Sequence, residues 1–129
     1  MIAAKTFYFY LWRHRFVDDA TDQVLTRTCF GITSNPAHRT QGYEGHVGHV
    51  VRFVRLWSGP ERLIRELETR IKSDFYQHIV VGTGGFRYEW INETVEFDTI
   101  VKWVEWEIEN TFGNIAPRSE EHTSELQSH

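Results

Sequence analysis

Two apolar runs separated by a short acidic break constrain this chain more than any other feature. Phe7 to Arg15 is dense enough in aromatic and apolar residues for a buried strand, and Leu25 to Thr33 returns as a second. Between them, Asp18-Asp19-Ala20-Thr21-Asp22 has the composition of a turn, so a hairpin is the simplest pairing of the two runs.

Helical signals follow. Ser34 or Asn35 can cap a helix whose first residue is Pro36, a favoured place for proline because its missing N–H would have no partner there anyway. Arg39 then sits one turn inside a helix N-terminus. Thr40 to Gly48 is glycine-rich and polar and reads as a loop, and Val50 to Trp57 reads as a third strand. Ser58-Gly59-Pro60-Glu61 predicts a helix start with Ser58 as cap, and Leu63, Ile64, Leu67 and Ile71 form an apolar stripe at helical spacing. Glu68 lies at the edge of that stripe, where a carboxylate can line a cleft; Glu66 points well away. His78 to Val81 and Phe86 to Ile91 suit short strands around the turn Gly82-Thr83-Gly84-Gly85, and Glu93 to Asn110 carries the stripe Phe97, Val101, Val104 and Ile108.

The expected fold is therefore a small α/β (α+β) domain: a mostly antiparallel three-stranded sheet, with room for an extra edge strand, flanked by helices. The 129 residues suffice for one core and not for two full domains. The apolar run ending at Trp12 is too short for a membrane span or signal peptide, and the lone Cys29 cannot form an internal disulfide, which together read as a cytoplasmic protein. The net charge of −4 hides an asymmetry, since Met1 to Asn92 carries 12 Lys/Arg against 9 Asp/Glu and the remainder carries 2 against 9. An overall pI near 6.0 excludes a strongly basic, sequence-blind nucleic-acid coat while leaving room for a local basic cleft. Ten of the twelve cations before Glu93 are arginine, the residue best suited to bidentate phosphate contact, although a solvated mixed-charge surface explains the same counts. The histidines have no metal-ligand spacing, one cysteine does not suit a zinc site, and the Gly82 to Gly85 run is wrongly flanked for a phosphate-binding loop.

Tyr8-Phe9-Tyr10, the run Cys29-Phe30-Gly31-Ile32-Thr33-Ser34-Asn35-Pro36-Ala37-His38-Arg39, the Leu67-Glu68 helix and Glu89-Trp90-Ile91 together resemble the core of the GIY-YIG nucleases, in particular a phage-associated branch. Tyr10, Gly31, Thr33, Asn35 and Arg39 keep that signature's spacing. Tyr8 and Phe9 stand where Gly and Ile belong in the first half, and Cys29 stands where the second half has Tyr. The resemblance spans Tyr8 to Ile91. The final Arg118 to His129 is similar to a translated sequencing adapter, as in assembled metagenomic DNA, so residues 1–117 are expected to form the domain and 118–129 an artefactual tail.

The resemblance implies hydrolysis of DNA phosphodiester bonds with Mg2+ or Mn2+. Glu68 would be the metal ligand, Arg39 would bind the scissile phosphate, Tyr10 would orient or deprotonate the attacking water, and His46 resembles a histidine that many members carry after the Arg. Each residue also has a structural reading: Tyr10 as core filler, Arg39 as a solvated helix charge, Glu68 as an ordinary ion-pair partner of Arg65 or Lys72, and Cys29 as a buried strand thiol. Two further function classes stand beside the nuclease. One is a catalytically impaired nucleic-acid-binding module that has lost the second-strand tyrosine. The other is a protein-interaction domain, whose partner or missing C-terminal domain would meet Trp103 and Trp106, off the apolar stripe of the last helix, beside the acidic Glu96, Glu105, Glu107 and Glu109.

Overall fold

The computed structural model describes residues 5–38, 54–81 and 87–118. Six strands form one antiparallel sheet: β1 (Thr6–Val17), β2 (Val24–Thr33), β3 (Arg55–Pro60), β4 (Ile79–Val81), β5 (Arg87–Ile91) and β6 (Ala116–Pro117), in the order β4-β5-β2-β1-β3-β6. Among the described residues, residues 36–38 are helical, and two helices, α1 (Glu61–Asp74) and α2 (Phe97–Asn110), follow with a 3-10 turn at Tyr76–His78. No helix among the described residues is long and apolar enough to cross a membrane.

The expected hairpin forms. β1 and β2 pair from Tyr8 opposite Thr33 to Val17 opposite Val24. The acidic break closes it: Asp18 accepts backbone N–H bonds from Asp22 at 2.8 Å and, through its carboxylate, from Ala20 at 3.2 Å, while the Thr21 hydroxyl donates to the same carboxylate at 2.9 Å. Asp22 takes the left-handed conformation, φ 60°, which a short side chain able to bond its own backbone tolerates better than most.

The three-strand expectation is corrected to six. Two added strands flank the hairpin on the β2 side, where Thr28 pairs with Ile91 and Cys29 with Trp90, and β4 pairs in turn with β5. The sixth comes from the C-terminal segment, where Ser58 pairs with Ala116 and Trp57 with Pro117. The segments that form β4 and β5 read as short strands from sequence, but their attachment on the β2 side, and the two-residue β6, are long-range pairings that no local periodicity announces.

β3 also departs from its expected bounds. It continues through Ser58, Gly59 and Pro60, which pair with Tyr8, Phe7 and Thr6. Ser58 therefore spends its backbone in the sheet instead of capping a helix. Pro60 is the N-cap of α1, with φ −61° and ψ 143° and no side-chain cap, and Glu61 opens the helix with an ion pair to Arg65 at 2.8 Å. Residues 50–53 of the expected strand lie outside the described residues, as do the 40–48 loop and the 82–85 turn.

Both helices cover one face of the sheet. Ile64, Leu67 and Ile71 of α1 and Ile100, Val101 and Val104 of α2 pack in one core with Phe7, Phe9 and Leu11 of β1, Phe30, Ile91, Phe112 and Ile115. Each such side chain, moved from water to this interior, contributes about 1.5–3 kcal/mol. The opposite face holds a second cluster of Tyr10, Trp12, Cys29 and Leu56, with Tyr8, Val54 and Trp90 packed against it. β1 thus divides its alternating residues between two apolar environments, as expected of a strand central to its sheet.

Candidate functional site

The backbone that leads to the expected phosphate site is built from three local hydrogen bonds. The Thr33 hydroxyl accepts from the Asn35 N–H at 3.1 Å, and donates to the Asn35 carbonyl at 3.2 Å. The Asn35 side-chain oxygen accepts from the His38 N–H at 3.1 Å, three residues on. Asn35, not Ser34, is therefore the cap, and residues 36–38 are helical. Arg39 and His46 themselves lie outside the described residues.

Tyr10 is fully buried, opposite Gly31 in the β1–β2 ladder. The phenol packs over the space that a side chain at 31 would fill: a Cβ there would stand 2.6 Å from Tyr10 Cζ and 3.2 Å from a carboxylate oxygen of Glu89. Only glycine leaves room for this arrangement. The ladder from β2 to β5 ends at Cys29 and Trp90, and Glu89, the preceding residue, brings its carboxylate over Gly31 beside the Tyr10 ring. In the sequence Glu89 stands only within the Glu89-Trp90-Ile91 motif, with no place at the site. The missing signal was the cross-strand register, which puts β5 next to β2.

Glu68 belongs to α1, on the face of the sheet opposite the one toward which the Tyr10 ring points. Its side chain is 15% exposed and pairs with Lys72 Nζ at 3.7 Å, one of the two ordinary partners foreseen; Arg65 is engaged by Glu61 instead. The structure thus brings Tyr10 together with Gly31 and Glu89, while Glu68 is carried by the helix that packs on the other face of the sheet. As a magnesium or manganese ligand, Glu68 offers the hard oxygen donor such ions prefer, and one carboxylate with substrate phosphate and water can hold them. No cluster of three or more His, Cys, Asp or Glu side chains that could form an all-protein metal cage occurs among the described residues.

A local basic cleft of about 520 Å³ opens where β1 begins and α1 starts, lined by Lys5, Pro60, Glu61, Arg62 and Arg65. Lys5 and Arg65 both lie over the Phe7 ring, at 5.4 and 5.2 Å from its centroid, so an aromatic platform holds their charges near one another.

The last helix differs from expectation. Trp103 is half-buried against the core, edge-on to Phe75 at 5.6 Å, and its indole N–H donates to Asp74 at 2.9 Å. It ties α2 to the end of α1 and is not a free contact surface. Trp106 remains 59% exposed. Glu107, one of the acidic residues expected to accompany Trp103 and Trp106 at a partner surface, is 4% exposed and pairs with Arg70 at 3.4 Å, bridging the two helices. Arg118, the first residue of the expected tail, donates its backbone N–H to the Leu56 carbonyl at 2.7 Å and lies over the Tyr8 ring. Residues 119–129 lie outside the described residues. Comparisons with protein-family models, with curated proteins and with solved structures find no match.

Proposed function

We propose that this chain is a metal-dependent DNA endonuclease of the GIY-YIG type. The observation that carries the reading is the hairpin register: Tyr10 faces Gly31, and the strand then runs into the Thr33–Asn35 turn that caps the helical residues leading to Arg39. Arg39, which the sequence spacing places one turn beyond the Asn35 cap, would grip the scissile phosphate, where its planar fork and a helix N-terminal dipole would both favour negative charge. Tyr10 would orient or deprotonate the attacking water, with His46 as a secondary proton carrier. A magnesium or manganese ion held by Glu68 would supply charge stabilisation at the leaving 3′ oxygen.

The test is nicking of supercoiled plasmid DNA in magnesium or manganese. Glu68→Ala should abolish cleavage without unfolding the domain, and Arg39→Ala should slow it by roughly 10²–10³-fold, the scale of losing one oriented donor at a reacting centre. Wild-type protein that binds DNA and never nicks it under either metal would sink the proposal.

A second reading, a nucleic-acid-binding module without cleavage, is favoured by two observations. Tyr10 has no exposed surface, and the helix bearing Glu68 covers the other face of the sheet. The Lys5–Arg62–Arg65 cleft supports phosphate binding under either reading. A Cys29→Tyr variant that gained cleavage would assign the loss to the missing phenol.

A further inference from the structure

Along β1 from Tyr8 onward, the positions that face away from the helices are Tyr8, Tyr10, Trp12, His14 and Phe16, and each carries a ring. Tyr10 and Trp12 are buried, whereas His14 and Phe16 are half-exposed. The row therefore runs out of the core toward the turn end of the hairpin. There it meets a cavity of about 220 Å³, lined by His14, Arg27, Val80 and Trp90 from four different strands.

We propose that this cavity is a stacking subsite for one unpaired nucleotide of a DNA strand; the proposal rests on the nucleic-acid reading common to both functions above. Size argues first. Drug-sized ligands need pockets of about 300 Å³ or more, and this one suits a single planar heterocycle. The walls argue next. Trp90 meets His14 edge-to-face at 5.0 Å and 79°, and Trp12 at 5.3 Å and 66°, contacts that fix the indole firmly in place. A rigid, half-exposed ring costs little entropy when a base stacks on it, and every base has a face to offer.

Charge selects a nucleotide over an apolar side chain. Arg27 stands opposite His14 in the β1–β2 register, with its guanidinium 4.3 Å above the Phe16 ring and its Nε 3.2 Å from Glu93. The Glu93 pair engages Nε and orients the fork; the Nη atoms are the donors it can turn toward a phosphate beside the stacked base. With its side chain 33% exposed, Arg27 is open to such a ligand. The cavity also lies on the same face of the sheet as Tyr10, four residues or about 13 Å farther along β1.

The experiment is fluorescence anisotropy of a labelled ten-nucleotide oligothymidylate at low salt, repeated with an abasic strand of the same length and with thymidine 5′-monophosphate. Wild-type protein should prefer the base-bearing strand over the abasic one, and should bind the mononucleotide far more weakly. Trp90→Leu and His14→Ala should each weaken oligothymidylate binding by roughly five-fold or more and leave the abasic strand unaffected. Arg27→Gln should reduce the salt slope by about one. Because Trp90 also packs on Trp12, thermal melts accompany each variant, and His14→Ala, at a half-exposed position, decides the matter if Trp90→Leu is unfolded. Folded variants that bind like wild type, or a wild type that binds the abasic strand equally, would overturn the subsite and leave the nucleic-acid reading standing. Equal affinity for the mononucleotide would overturn its assignment to a strand. A wild type that binds none of these, nor duplex DNA, would overturn both.

Discussion

Replacing Gly31 with alanine is the smallest change that tests the arrangement at the centre of this domain. The added Cβ would lie 2.6 Å from Tyr10 Cζ, where ordinary carbon–carbon contact begins at about 3.5 Å. Roughly 0.9 Å of displacement is therefore needed, and Tyr10 has nowhere to make it. Its ring is fully buried in a cluster with Trp12, Cys29 and Leu56, and its backbone is laddered on both sides, to Gly31 and to Leu56. Overpacking of a well-filled core costs about 1–3 kcal/mol, and the upper half of that range is expected where the obstructing ring cannot rotate away. For a domain of this size, about 2–3 kcal/mol lowers the melting temperature by on the order of 10 °C. Urea denaturation followed by tryptophan fluorescence gives the free energy directly. Tyr10→Leu in the Gly31→Ala background removes the ring that the methyl strikes, so the double variant should be less destabilised than the sum of the single changes, by about 1 kcal/mol or more. A Gly31→Ala protein within about 0.5 kcal/mol of wild type, or strictly additive changes, would refute the close approach of phenol and strand.

Two further changes address the helices. Arg70→Met should destabilise by about 1–2 kcal/mol, below the cost of breaking a fully buried pair because Arg70 is 44% exposed, while Arg70→Met with Glu107→Met should recover most of the loss; chemical denaturation of all three variants measures this coupling. Asn35→Ala removes the acceptor of the His38 N–H and should cost about 1 kcal/mol by the same assay, with Asn35→Asp close to wild type.

What the sequence disclosed, it disclosed through local physics. The β1–β2 hairpin follows from two apolar runs and an acidic turn, α1 from its Ile64–Leu67–Ile71 stripe, and the Asn35 cap from side-chain chemistry within four residues. Where local signals competed with pairing, pairing won. Ser58 has every mark of a helix cap, yet Tyr8 lies opposite and takes its backbone into the sheet. Glu107 stands in the sequence among the acids of the last helix, yet it is buried, and Arg70 on a different helix makes that burial tolerable. Ile100 escaped the expected stripe of the last helix and is fully buried because α2 presents a broader face to the core than four residues spell out.

The same distinction applies to the candidate site, and there it bears on function. Spacing along the chain can align Tyr10 with Gly31, because a hairpin converts sequence distance into register. It cannot reveal that the carboxylate drawn to that pair comes from Glu89 on β5, nor that the helix carrying Glu68 lies across the sheet from the phenol. A strand with rings at Tyr8, Tyr10, Trp12, His14 and Phe16 reads, residue by residue, as core filler. The sheet gives it a second face that the two helices do not cover, and the half-exposed end of that face, at His14, Arg27 and Trp90, combines rings and charge in the form a stacked nucleotide requires. Cleavage therefore depends on whether Arg39 and Glu68 act across from this face or apart from it, whereas strand binding needs only the face itself. For that reason an oligonucleotide that binds through Trp90 and is never cut would favour the binding module, and Glu68-dependent nicking would favour the nuclease.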